Sequence, residues 1–363
     1  MKILVLTRYG RIGASSRLRF LQYLPWLQRS EIDVVVQPFI SDEMLEAKYR
    51  AGGYSLPGLM GAYARRVLCL LRRKRFDLIW IEKEALPWLP VQVERALLQG
   101  VPYVLDFDDA WFHNYDLHRS AWVRRILGHR LDRLMAGARL VIGGNDYLLQ
   151  RARDAGARWV ERVPTVIDLD RYPLGPEKLP GASAPKIVWI GSPSTVRYLS
   201  GLAEPLRALA QRVPFKLRVI GAPLEMAGVE VECVPWTEAS EVAAIAECDI
   251  GVMPLFDSPW ERGKCGYKLI QYMACGLPVV ASPVGVNKEI VEQGVNGFLA
   301  DSQAEWVTAL EQLLTQPQLR SRLGQAGRLR VESTYCLQVT GRVLANLLLQ
   351  ASKGVEGAAR DGN

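Results

Sequence analysis

The stretch KCGYKLIQYMACGLPVVAS (264–282) joins a helical pattern, an abrupt stop and an apolar strand. Gly276 and Pro278 mark the stop, because glycine favours the position after a helix and proline cannot continue one. The segment LPVVAS (277–282) that follows has the length and composition of a buried strand. A helix that leads directly into a buried strand predicts an α/β fold.

The same alternation of strands and helices runs through both halves of the chain. Helical patterns such as LRFLQYLPWLQR (18–29) and VQVERALLQ (91–99) separate short apolar segments rich in β-branched residues. Near-continuous apolar strands joined by helices indicate a parallel sheet covered on both faces. The predicted strands are 2–7, 32–37, 77–82, 102–107 and 139–144 in the first half, and 186–191, 215–221, 229–236, 248–255 and 277–282 in the second.

A segment dense in proline and glycine, YPLGPEKLPGASAP (172–185), separates the two halves and is typical of a linker. At 363 residues the chain is also too long for one ordinary core. We therefore predict two doubly wound, Rossmann-like domains. The predicted boundaries are 1–168 for the first domain, 169–185 for the linker, 186–334 for the second domain, and 335–363 for a C-terminal helix with a frayed tail.

The composition, with 49% hydrophobic and 23% charged residues, is that of a soluble globular protein. The apolar run in the start MKILVLTRYG (1–10) is shorter than the apolar region of a signal peptide, so this segment is interpreted as a strand. The six cysteines are scattered without a CxxC pair, which favours reduced thiols, and the three histidines show no zinc-binding spacing. We expect a cytoplasmic protein.

Positive charge is concentrated in the first half of the chain. Residues 1–165 contain 26 Lys and Arg against 17 Asp and Glu, which predicts an acidic partner for this half. Within it, YARRVLCLLRRKRF (63–76) is a basic amphipathic segment. Such a segment suits the anionic inner face of a membrane, although a helix with a solvated basic face explains the pattern equally well. No nucleic-acid recognition module is visible.

Lys264, Lys268 and Gln271 recur at i, i+4 and i+7, which would place them on one face of a helix. Gly263 and Gly266 let a ligand approach the backbone, and a helix N-terminus attracts anions. Lysines there suit a diphosphate, and an amide side chain suits the hydroxyls of a ribose. The alternative is an ordinary solvated lysine face.

The segment YMACGLPVVASPVGVNKEIV (272–291) closely resembles the donor-site signature of family 4 retaining glycosyltransferases of the GT-B fold. YGRIGASSRLR (9–19), VPTVIDLDRY (163–172) and WIGSPSTVRYL (189–199) resemble other segments of that family in the same order. The resemblance implies two domains that face each other across a cleft, with the C-terminal helix returning to the first domain. It also implies transfer of a sugar, with retention, from a nucleotide-diphosphate sugar to a hydroxyl acceptor, without a metal or other cofactor.

The resemblance also implies roles for residues of the second domain. Arg197 matches a basic residue that grips the diphosphate, while Ser192 stands where the family has another basic residue. Glu289 matches an acidic residue of the donor site. Gly191, in the loop that contains Arg197, is also expected to contact substrate, as are Gly266 and Tyr267 at the start of the predicted helix.

Two glutamates of the family signature are replaced in this chain. Gln271 stands at the second and keeps the ability to bind ribose hydroxyls. Gly263 stands at the first, which helps to hold the donor sugar, and Glu261 lies only two residues away. We therefore expect Glu261 to supply that contact, with Lys264 or the backbone as the alternative. Lys264 and Lys268, together with Arg197, are the predicted catalytic cations.

In the first domain, YVLDFDDAWFHNYDLH (103–118) follows a strand with three aspartates. Asp108 and Asp109 fall where the family carries His-Asp, so Asp108 is predicted to be catalytic and Asp109 to bind substrate. A D-x-D metal site of the other glycosyltransferase fold, GT-A, is the alternative. Gly13 and Arg17, in the glycine-rich loop, are further predicted substrate contacts, and Arg19 has the same potential for phosphate.

The predicted function is transfer of a sugar to a glycan or lipid-linked saccharide in cell-envelope biosynthesis, at the inner face of the membrane. A nucleotide-sugar epimerase of the same fold is one alternative, and a non-catalytic nucleotide- or sugar-binding protein is another. An NAD-dependent dehydrogenase is disfavoured. GRIGAS (10–15) lacks the full GxGxxG, and IDVVVQPF (32–39) ends without the acidic residue that binds ribose.

Overall fold

The computed structural model describes residues 1–174 and 184–354, which form two compact units. Of the described residues, the first unit comprises 1–165 and 340–354, and the second comprises 166–174 and 184–339. Most of the proline-rich predicted linker and the end of the predicted tail lie outside the described residues. Each described unit is a parallel sheet with helices on its faces, so the predicted α/β fold with two Rossmann-like domains is confirmed.

The first unit is built on a six-stranded sheet in the order β2-β1-β3-β4-β5-β6. All neighbouring strands are parallel, and the central strands are almost wholly buried. The strands are β1 (Lys2–Tyr9), β2 (Asp33–Ile40), β3 (Leu78–Glu82), β4 (Tyr103–Phe107), β5 (Leu140–Gly143) and β6 (Val160–Arg162).

The helices of the first unit connect these strands and cover the sheet. Short 3₁₀ turns at Leu21–Tyr23 and Arg73–Arg75 interrupt the helical segments. The α-helices are α1 (Ala14–Arg19), α2 (Leu24–Arg29), α3 (Asp42–Ala51), α4 (Leu56–Leu71), α5 (Val91–Leu98), α6 (His113–Asp116), α7 (Ala121–Leu127), α8 (Arg130–Gly137) and α9 (Asp146–Asp154).

The second unit repeats the plan with a parallel sheet in the order β12-β11-β10-β7-β8-β9. Its strands are β7 (Lys186–Ile190), β8 (Lys216–Ile220), β9 (Val231–Val234), β10 (Ile250–Met253), β11 (Val279–Ala281) and β12 (Gly297–Leu299). Its helices are α10 (Ala203–Ala210), α11 (Glu241–Ala246), α12 (Pro259–Arg262), α13 (Tyr267–Ala274), α14 (Asn287–Ile290), α15 (Gln303–Thr315) and α16 (Pro317–Thr334), with 3₁₀ segments at Leu169–Arg171 and Val196–Leu202.

The last described helix, α17 (Leu337–Lys353), returns to the first unit from Thr340 onward, as predicted. The hydroxyl groups of Tyr23 and Thr340 lie 2.9 Å apart, within hydrogen-bond distance. A Cβ at Gly341 would come within 2.6 Å of the Trp26 ring, so only glycine allows this close approach.

Several element boundaries differ from the sequence prediction. The predicted helix 18–29 is split into α1, a 3₁₀ turn and α2, with Pro25 in the first turn of α2 where proline is tolerated. The predicted strand 229–236 is only four residues long. The short strands β6 and β12 escaped prediction because three residues show no measurable periodicity.

In each sheet the strand order reverses at one point, because the chain first adds strands on one side of the starting strand and then continues on the other side. In the first unit this point lies between β1 and β3, and in the second it lies between β7 and β10. Loops at the carboxyl ends of strands diverge there and leave a crevice that suits a ligand. The residues after these four strands are therefore the candidates for a functional site.

Among the helices of the described residues, none has both the length and the apolar content needed to cross a bilayer.

Arg66, predicted to be part of an exposed basic face, is instead fully buried beneath α4. Its guanidinium donates to the carbonyl oxygens of Thr7 at 2.7 Å, Gln37 at 3.1 Å and Ala85 at 3.3 Å. Burial lowers the pKa of Arg66 to about 10, so the side chain stays charged at neutral pH. The hydrogen bonds to backbone carbonyls compensate for the loss of water around this charge.

Arg66 and its neighbour Arg65 should therefore respond very differently to substitution. We expect Arg66→Ala to lower the free energy of unfolding by about 3 kcal/mol, because it leaves buried carbonyl groups without donors. Arg65→Ala, at an exposed position of the same helix, should change it by less than about 0.5 kcal/mol. Urea unfolding at neutral pH measures both. Equal effects would show that Arg66 does not hold the first unit together.

Candidate functional site

The candidate donor site in the second unit begins with the loop after β7. The backbone N–H of Gly191 donates to the carbonyl of Ile220 at 3.0 Å and so extends the pairing of β7 with β8. The chain then turns through Ser192–Thr195. The backbone N–H of Ser192 donates to the Thr195 hydroxyl at 3.0 Å, which stabilises the turn. A Cβ at Gly191 would lie 2.4 Å from the Trp189 ring, so glycine lets this loop pass closely over the indole.

Helix α13 is fixed against the two strands that flank this crevice. The Tyr272 hydroxyl accepts a hydrogen bond from the backbone N–H of Ile190 at 3.0 Å. Its ring fills the space left by Gly251 on β10, where a Cβ would lie 2.3 Å from the ring. These contacts of Tyr272 hold α13 against the carboxyl end of β7.

The N-terminus of α13 carries no side-chain cap. Its N-cap is Gly266, which has a left-handed backbone (φ 67°) and packs against Ile290. A side chain would be strained by that φ and would also collide with Ile290. The first N–H groups of an α-helix have no partners inside the helix and attract anions.

Lys264 lies before α13 rather than within it, so the prediction that it continues the helical face of Lys268 is wrong. Gly266, in its left-handed conformation, separates the two lysines along the chain. Lys264 Nζ lies 5.9 Å from the centre of the Tyr198 ring. The two lysines nevertheless interact electrostatically, which places two positive charges at the start of α13.

Lys268 is the most unusual group of this site. Its ammonium lies 4.3 Å from the centre of the Trp189 ring, and among the described residues it has no carboxylate partner. Burial, and secondarily the charge of Lys264, lowers the pKa of Lys268 to about 7. The buried indole N–H of Trp189 also has no acceptor among the described residues. A bound anion would stabilise the positive charge of the Lys268 ammonium.

Glu261 lies beside these cations, but its carboxylate is held by neighbouring hydroxyl groups. Tyr198 donates to Oε1 at 2.5 Å, and Ser258 donates to Oε2. Arg197 is 67% exposed and its guanidinium lies 3.9 Å from Oε1. Burial, and then the hydrogen bond to Glu261, raises the pKa of Tyr198 to about 12, so Tyr198 remains a donor. Glu261, Arg197 and Lys264 thus converge around one tyrosine ring.

Gln271 faces the interior of the second unit. It is only 2% exposed, and its amide N–H donates to the Tyr172 hydroxyl at 3.0 Å. Tyr267 also forms a hydrogen bond with Tyr172, and burial raises the pKa of Tyr172 well above its usual value. A ribose contact from Gln271, which stays a prediction, would use the second N–H or the carbonyl oxygen of its amide, because Tyr172 takes one N–H.

Glu289 is exposed on α14, and its backbone carbonyl accepts from Arg330 at 2.7 Å. Nearby, Asn287 is buried and donates to the Ser282 carbonyl at 3.0 Å, which ties α14 to the loop after β11. The predicted role of Glu289 in donor binding stays a prediction.

In the first unit, Asp108 forms a short ion pair with a residue that the sequence did not single out. Its Oδ1 lies 2.7 Å from Lys83 Nζ, and Asp109 adds to the negative potential at the same lysine. Lys83 directly follows β3, is 3% exposed and has a left-handed backbone (φ 62°). Burial acts to raise the pKa of Asp108, but the Lys83 ammonium outweighs it and the pKa is lowered.

Asp106 and Arg19 form a second buried pair. The Arg19 guanidinium contacts Asp106 Oδ1 at 2.9 and 2.6 Å and donates to the Val163 carbonyl at 2.7 Å. Arg19 is therefore a structural residue, and its predicted contact with phosphate is wrong. Burial raises the pKa of Asp106 to about 6 despite this partner.

The alternative of a D-x-D metal site is not supported by this geometry. Asp106 and Asp108, the two aspartates of the D-x-D pattern, each pair with a different cation. Within residues 1–174 and 184–354, no three histidine, cysteine or carboxylate side chains are grouped closely enough to hold a metal ion.

The glycine-rich loop after β1 is already bound to a carboxylate. The backbone N–H groups of Arg11 and Ile12 each lie 3.1 Å from an oxygen of Asp42. Gly13 packs against Tyr9, and Arg17 is buried and donates to the Arg11 carbonyl at 3.0 Å. The N–H groups that bind pyrophosphate in a dinucleotide-binding loop thus have an internal partner, which argues further against a dehydrogenase.

The residues that sequence analysis missed share a position directly after or at the end of a strand. Lys83 and Glu84 follow β3, and Trp189 lies near the end of β7. Trp111 joins Glu84 by a hydrogen bond of 2.7 Å from its indole N–H, while the Arg8 guanidinium lies 4.0 Å from its ring centre. The segment IEKEALPW (81–88) contained the signal, since charged residues directly after a buried strand are unusual.

Comparison with known proteins agrees with this architecture. Residues 184–316, within the second unit, match the family model described as "Glycosyl transferases group 1". A D-inositol 3-phosphate glycosyltransferase from Pseudarthrobacter chlorophenolicus is 31% identical over 131 residues, or 36% of this chain and 30% of that protein. Spore coat protein SA of Bacillus subtilis is 35% identical over 79 residues, or 21% of this chain and 20% of that protein. The chain thus matches less than a third of the length of these relatives.

Solved structures show the same fold over nearly the whole chain. HepE of Anabaena, solved with UDP, superposes with a TM-score of 0.70 at 18% identity and covers 96% of this chain and 100% of HepE. Sucrose-phosphate synthase from Thermosynechococcus elongatus gives 0.68 at 16% identity, with 96% and 98% covered. The chain therefore has the GT-B fold, and the resemblance to GT-B glycosyltransferases predicted from its sequence is confirmed.

Lys268 should lower the stability of the ligand-free protein, as expected for a residue kept for binding. Its pKa is about 7 in the folded protein and about 10.4 in an unfolded chain, so folding disfavours its charge. We expect Lys268→Met to raise the unfolding temperature by a few degrees at pH 6 to 7. The gain should shrink as the pH rises from 7 towards 10, because the free-energy cost of deprotonating the lysine on folding falls as the pH approaches the pKa of the unfolded chain.

Thermal unfolding of the wild type and Lys268→Met between pH 6 and 10 measures this effect, with Lys288→Met, at an exposed position of α14, as the control. A variant that is less stable than the wild type at pH 6 would show that Lys268 has a compensating partner in the folded protein.

Asp108 should stabilise the first unit through Lys83. We expect Asp108→Asn to lower the free energy of unfolding by about 2 kcal/mol at pH 7, because Lys83 stays buried and loses its nearest carboxylate. The pKa of Asp108 is lowered in the folded protein, so its ionised carboxylate adds to the free energy of unfolding at any pH above the usual aspartate pKa. This stabilisation is lost as the pH falls through the pKa of Asp108 in the folded protein. Urea unfolding at pH 7 and pH 3 measures both effects, and Glu46→Gln, at an exposed carboxylate of the same unit, serves as the control. An Asp108→Asn variant as stable as the wild type would refute the pairing.

Proposed function

We propose that this protein is a glycosyltransferase that moves a sugar from a nucleoside-diphosphate sugar to a hydroxyl acceptor. The observation that carries the proposal is Lys268, a cation beside Lys264 without a carboxylate partner among the described residues, at the uncapped start of α13. A diphosphate would neutralise this charge. The match of residues 184–316 to the glycosyltransferase family supports the same assignment.

The proposed donor is a UDP-hexose. HepE has been solved with UDP and with UDP-glucose, and this chain shares its fold. In this chain, the turn at Ser192–Thr195 and the first turn of α13 would hold the diphosphate. Glu261, held by Tyr198 and Ser258, would accept a hydrogen bond from a hydroxyl of the transferred sugar.

The proposed chemistry is stabilisation of the leaving diphosphate. As the bond between the sugar and the phosphate breaks, negative charge grows on the phosphate oxygens. Lys264, Lys268 and Arg197 would stabilise this charge together with the N-terminus of α13, without a catalytic metal ion. Retention of the anomeric configuration, and membership of family 4, are proposed from the resemblance of the 272–291 segment.

The proposed acceptor binds to the first unit. Asp108 and Asp109 lie just beyond the carboxyl end of β4, and the exposed part of Asp108 can accept a hydrogen bond from an acceptor hydroxyl. Lys83 keeps Asp108 ionised and restricts its orientation. The excess of positive charge in this half suits a saccharide linked to an anionic lipid, in the assembly of a cell-envelope glycan.

The experiment that tests this proposal compares nucleotide binding and sugar transfer in matched variants. We expect UDP to raise the unfolding temperature of the wild type more than GDP, ADP, dTDP or NAD does, since only a bound ligand stabilises the folded state. Lys264→Gln should lower kcat/KM for the donor by 10-fold to 1,000-fold, because it removes stabilisation of the leaving group. Lys288→Gln, at an exposed lysine of the same unit, should leave it within about twofold.

The same measurements separate the competing functions. An epimerase would interconvert UDP-sugars without any acceptor, and a binding protein would bind UDP-sugar without turnover. Either result would contradict the proposal. Stabilisation by NAD alone would refute nucleoside-diphosphate binding altogether.

A further inference from the structure

One face of α4 carries large apolar side chains that point into solvent. Leu56, Met60, Leu68 and Leu71 are 71%, 66%, 57% and 58% exposed, and Ala64 lies between them and is also exposed. Their spacing of three or four residues aligns them along one side of the helix. These five residues, called here the outer stripe, extend over about 22 Å of helix.

The outer stripe is the surface of a firmly packed helix. On the opposite side of α4, Ala62, Arg66 and Leu70 are fully buried in the first unit. Ser55 caps the N-terminus by accepting a hydrogen bond from the N–H of Gly58. The helix therefore cannot rotate to bury the outer stripe without breaking the hydrogen bonds of Arg66.

The chain around the outer stripe is strongly basic. Residues 47–76 contain no aspartate or glutamate and eight lysines and arginines. Arg72, Lys74 and Arg75, at the C-terminal end of α4, form no ion pair with any of the described residues. By contrast, many arginines elsewhere in the protein are paired with carboxylates, as Arg218 is with Glu232.

We propose that the outer stripe of α4 and the cationic turn of Arg72, Lys74 and Arg75 bind the surface of an anionic lipid bilayer. Apolar side chains in a row on a helix enter the boundary between headgroups and acyl chains, and nearby cations interact with anionic headgroups. The cationic turn is complementary in charge to the anionic headgroups, and the outer stripe matches the apolar acyl chains. An anionic bilayer is therefore the partner that fits both parts of the surface. The helix lies in the interface and does not cross it.

This surface extends the proposed function, because it would bring the first unit to a lipid-linked acceptor. Vesicle binding requires neither donor nor acceptor, so it can be tested even if the proposed transfer reaction is wrong. Conversely, loss of vesicle binding would leave UDP binding by the second unit unaffected.

A second exposed apolar patch provides a competing location. Trp122 and Ile126 on α7 are 71% and 61% exposed, and Arg124 and Arg125 lie next to them. This helix has only seven residues, against sixteen in α4, and offers a shorter apolar row. Variants of α7 therefore serve as the direct comparison for variants of α4.

The test measures co-sedimentation of the full chain with vesicles of phosphatidylcholine alone and with vesicles that contain one quarter phosphatidylglycerol. We expect binding to the anionic vesicles that weakens at least fivefold when salt rises from 50 to 500 mM. Met60→Ser with Leu68→Ser should lower the partition coefficient at least tenfold. Leu329→Ser, on α16 of the second unit and 65% exposed, is the matched control and should have no effect.

A triple variant, Arg72→Gln, Lys74→Gln and Arg75→Gln, tests the cationic turn separately. It should lower binding to the anionic vesicles at least tenfold and abolish most of the salt dependence. Circular dichroism and the temperature of thermal unfolding verify that each variant is folded.

Several results would overturn the proposal. One is a wild type that does not bind the anionic vesicles, and another is a Met60/Leu68 variant that binds them as well as the wild type. Loss of binding in Trp122→Ser with Ile126→Ser, but not in the α4 variant, would assign the membrane surface to α7. A dimer in solution that the Met60/Leu68 substitutions dissociate, without vesicle binding, would make the outer stripe an interface between two copies.

Discussion

The contact between Tyr272 and Gly251 is the constraint on which the candidate donor site depends. The ring occupies the space where any other residue on β10 would carry a Cβ, and its hydroxyl accepts from the N–H of Ile190 at the end of β7. These two contacts hold α13 against β7 and β10. The ammonium of Lys268 consequently lies over Trp189, in a position that burial makes unfavourable for a charge. Packing thus assembles the site, and it places the positive charge of Lys268 where a bound anion would stabilise it.

The fold could be predicted from the sequence because its signals are long and repeated. Ten apolar segments separated by helical patterns are enough to indicate two parallel sheets, and the helix stop at Gly276 and Pro278 was unambiguous. The split of the predicted helix 18–29 was missed because a 3₁₀ turn keeps nearly the same spacing of apolar residues. The return of α17 to the first unit is implied by the family resemblance and by no pattern in the helix itself.

The candidate site could be predicted only in part, because burial and partners cannot be inferred from residue type. Arg66 and Arg65 are adjacent arginines, yet one is enclosed by three carbonyl groups and the other is exposed. Likewise, the sequence alone does not distinguish a phosphate ligand at Arg19 from the buried partner of Asp106 that Arg19 is. Lys83 lies far from Asp108 in sequence, and parallel pairing of β3 with β4 brings them together.

Proton uptake on binding UDP tests the central claim, that Lys268 is a diphosphate-binding cation, most directly. In the protein without ligand, Lys268 has a pKa of about 7 and is mostly neutral at pH 8. A nearby diphosphate must raise that pKa. Calorimetric titration with UDP at pH 8, in two buffers of different ionisation enthalpy, should show uptake of up to one proton in the wild type and none in Lys268→Met. Binding without proton uptake in the wild type, or no binding of UDP, would contradict the account.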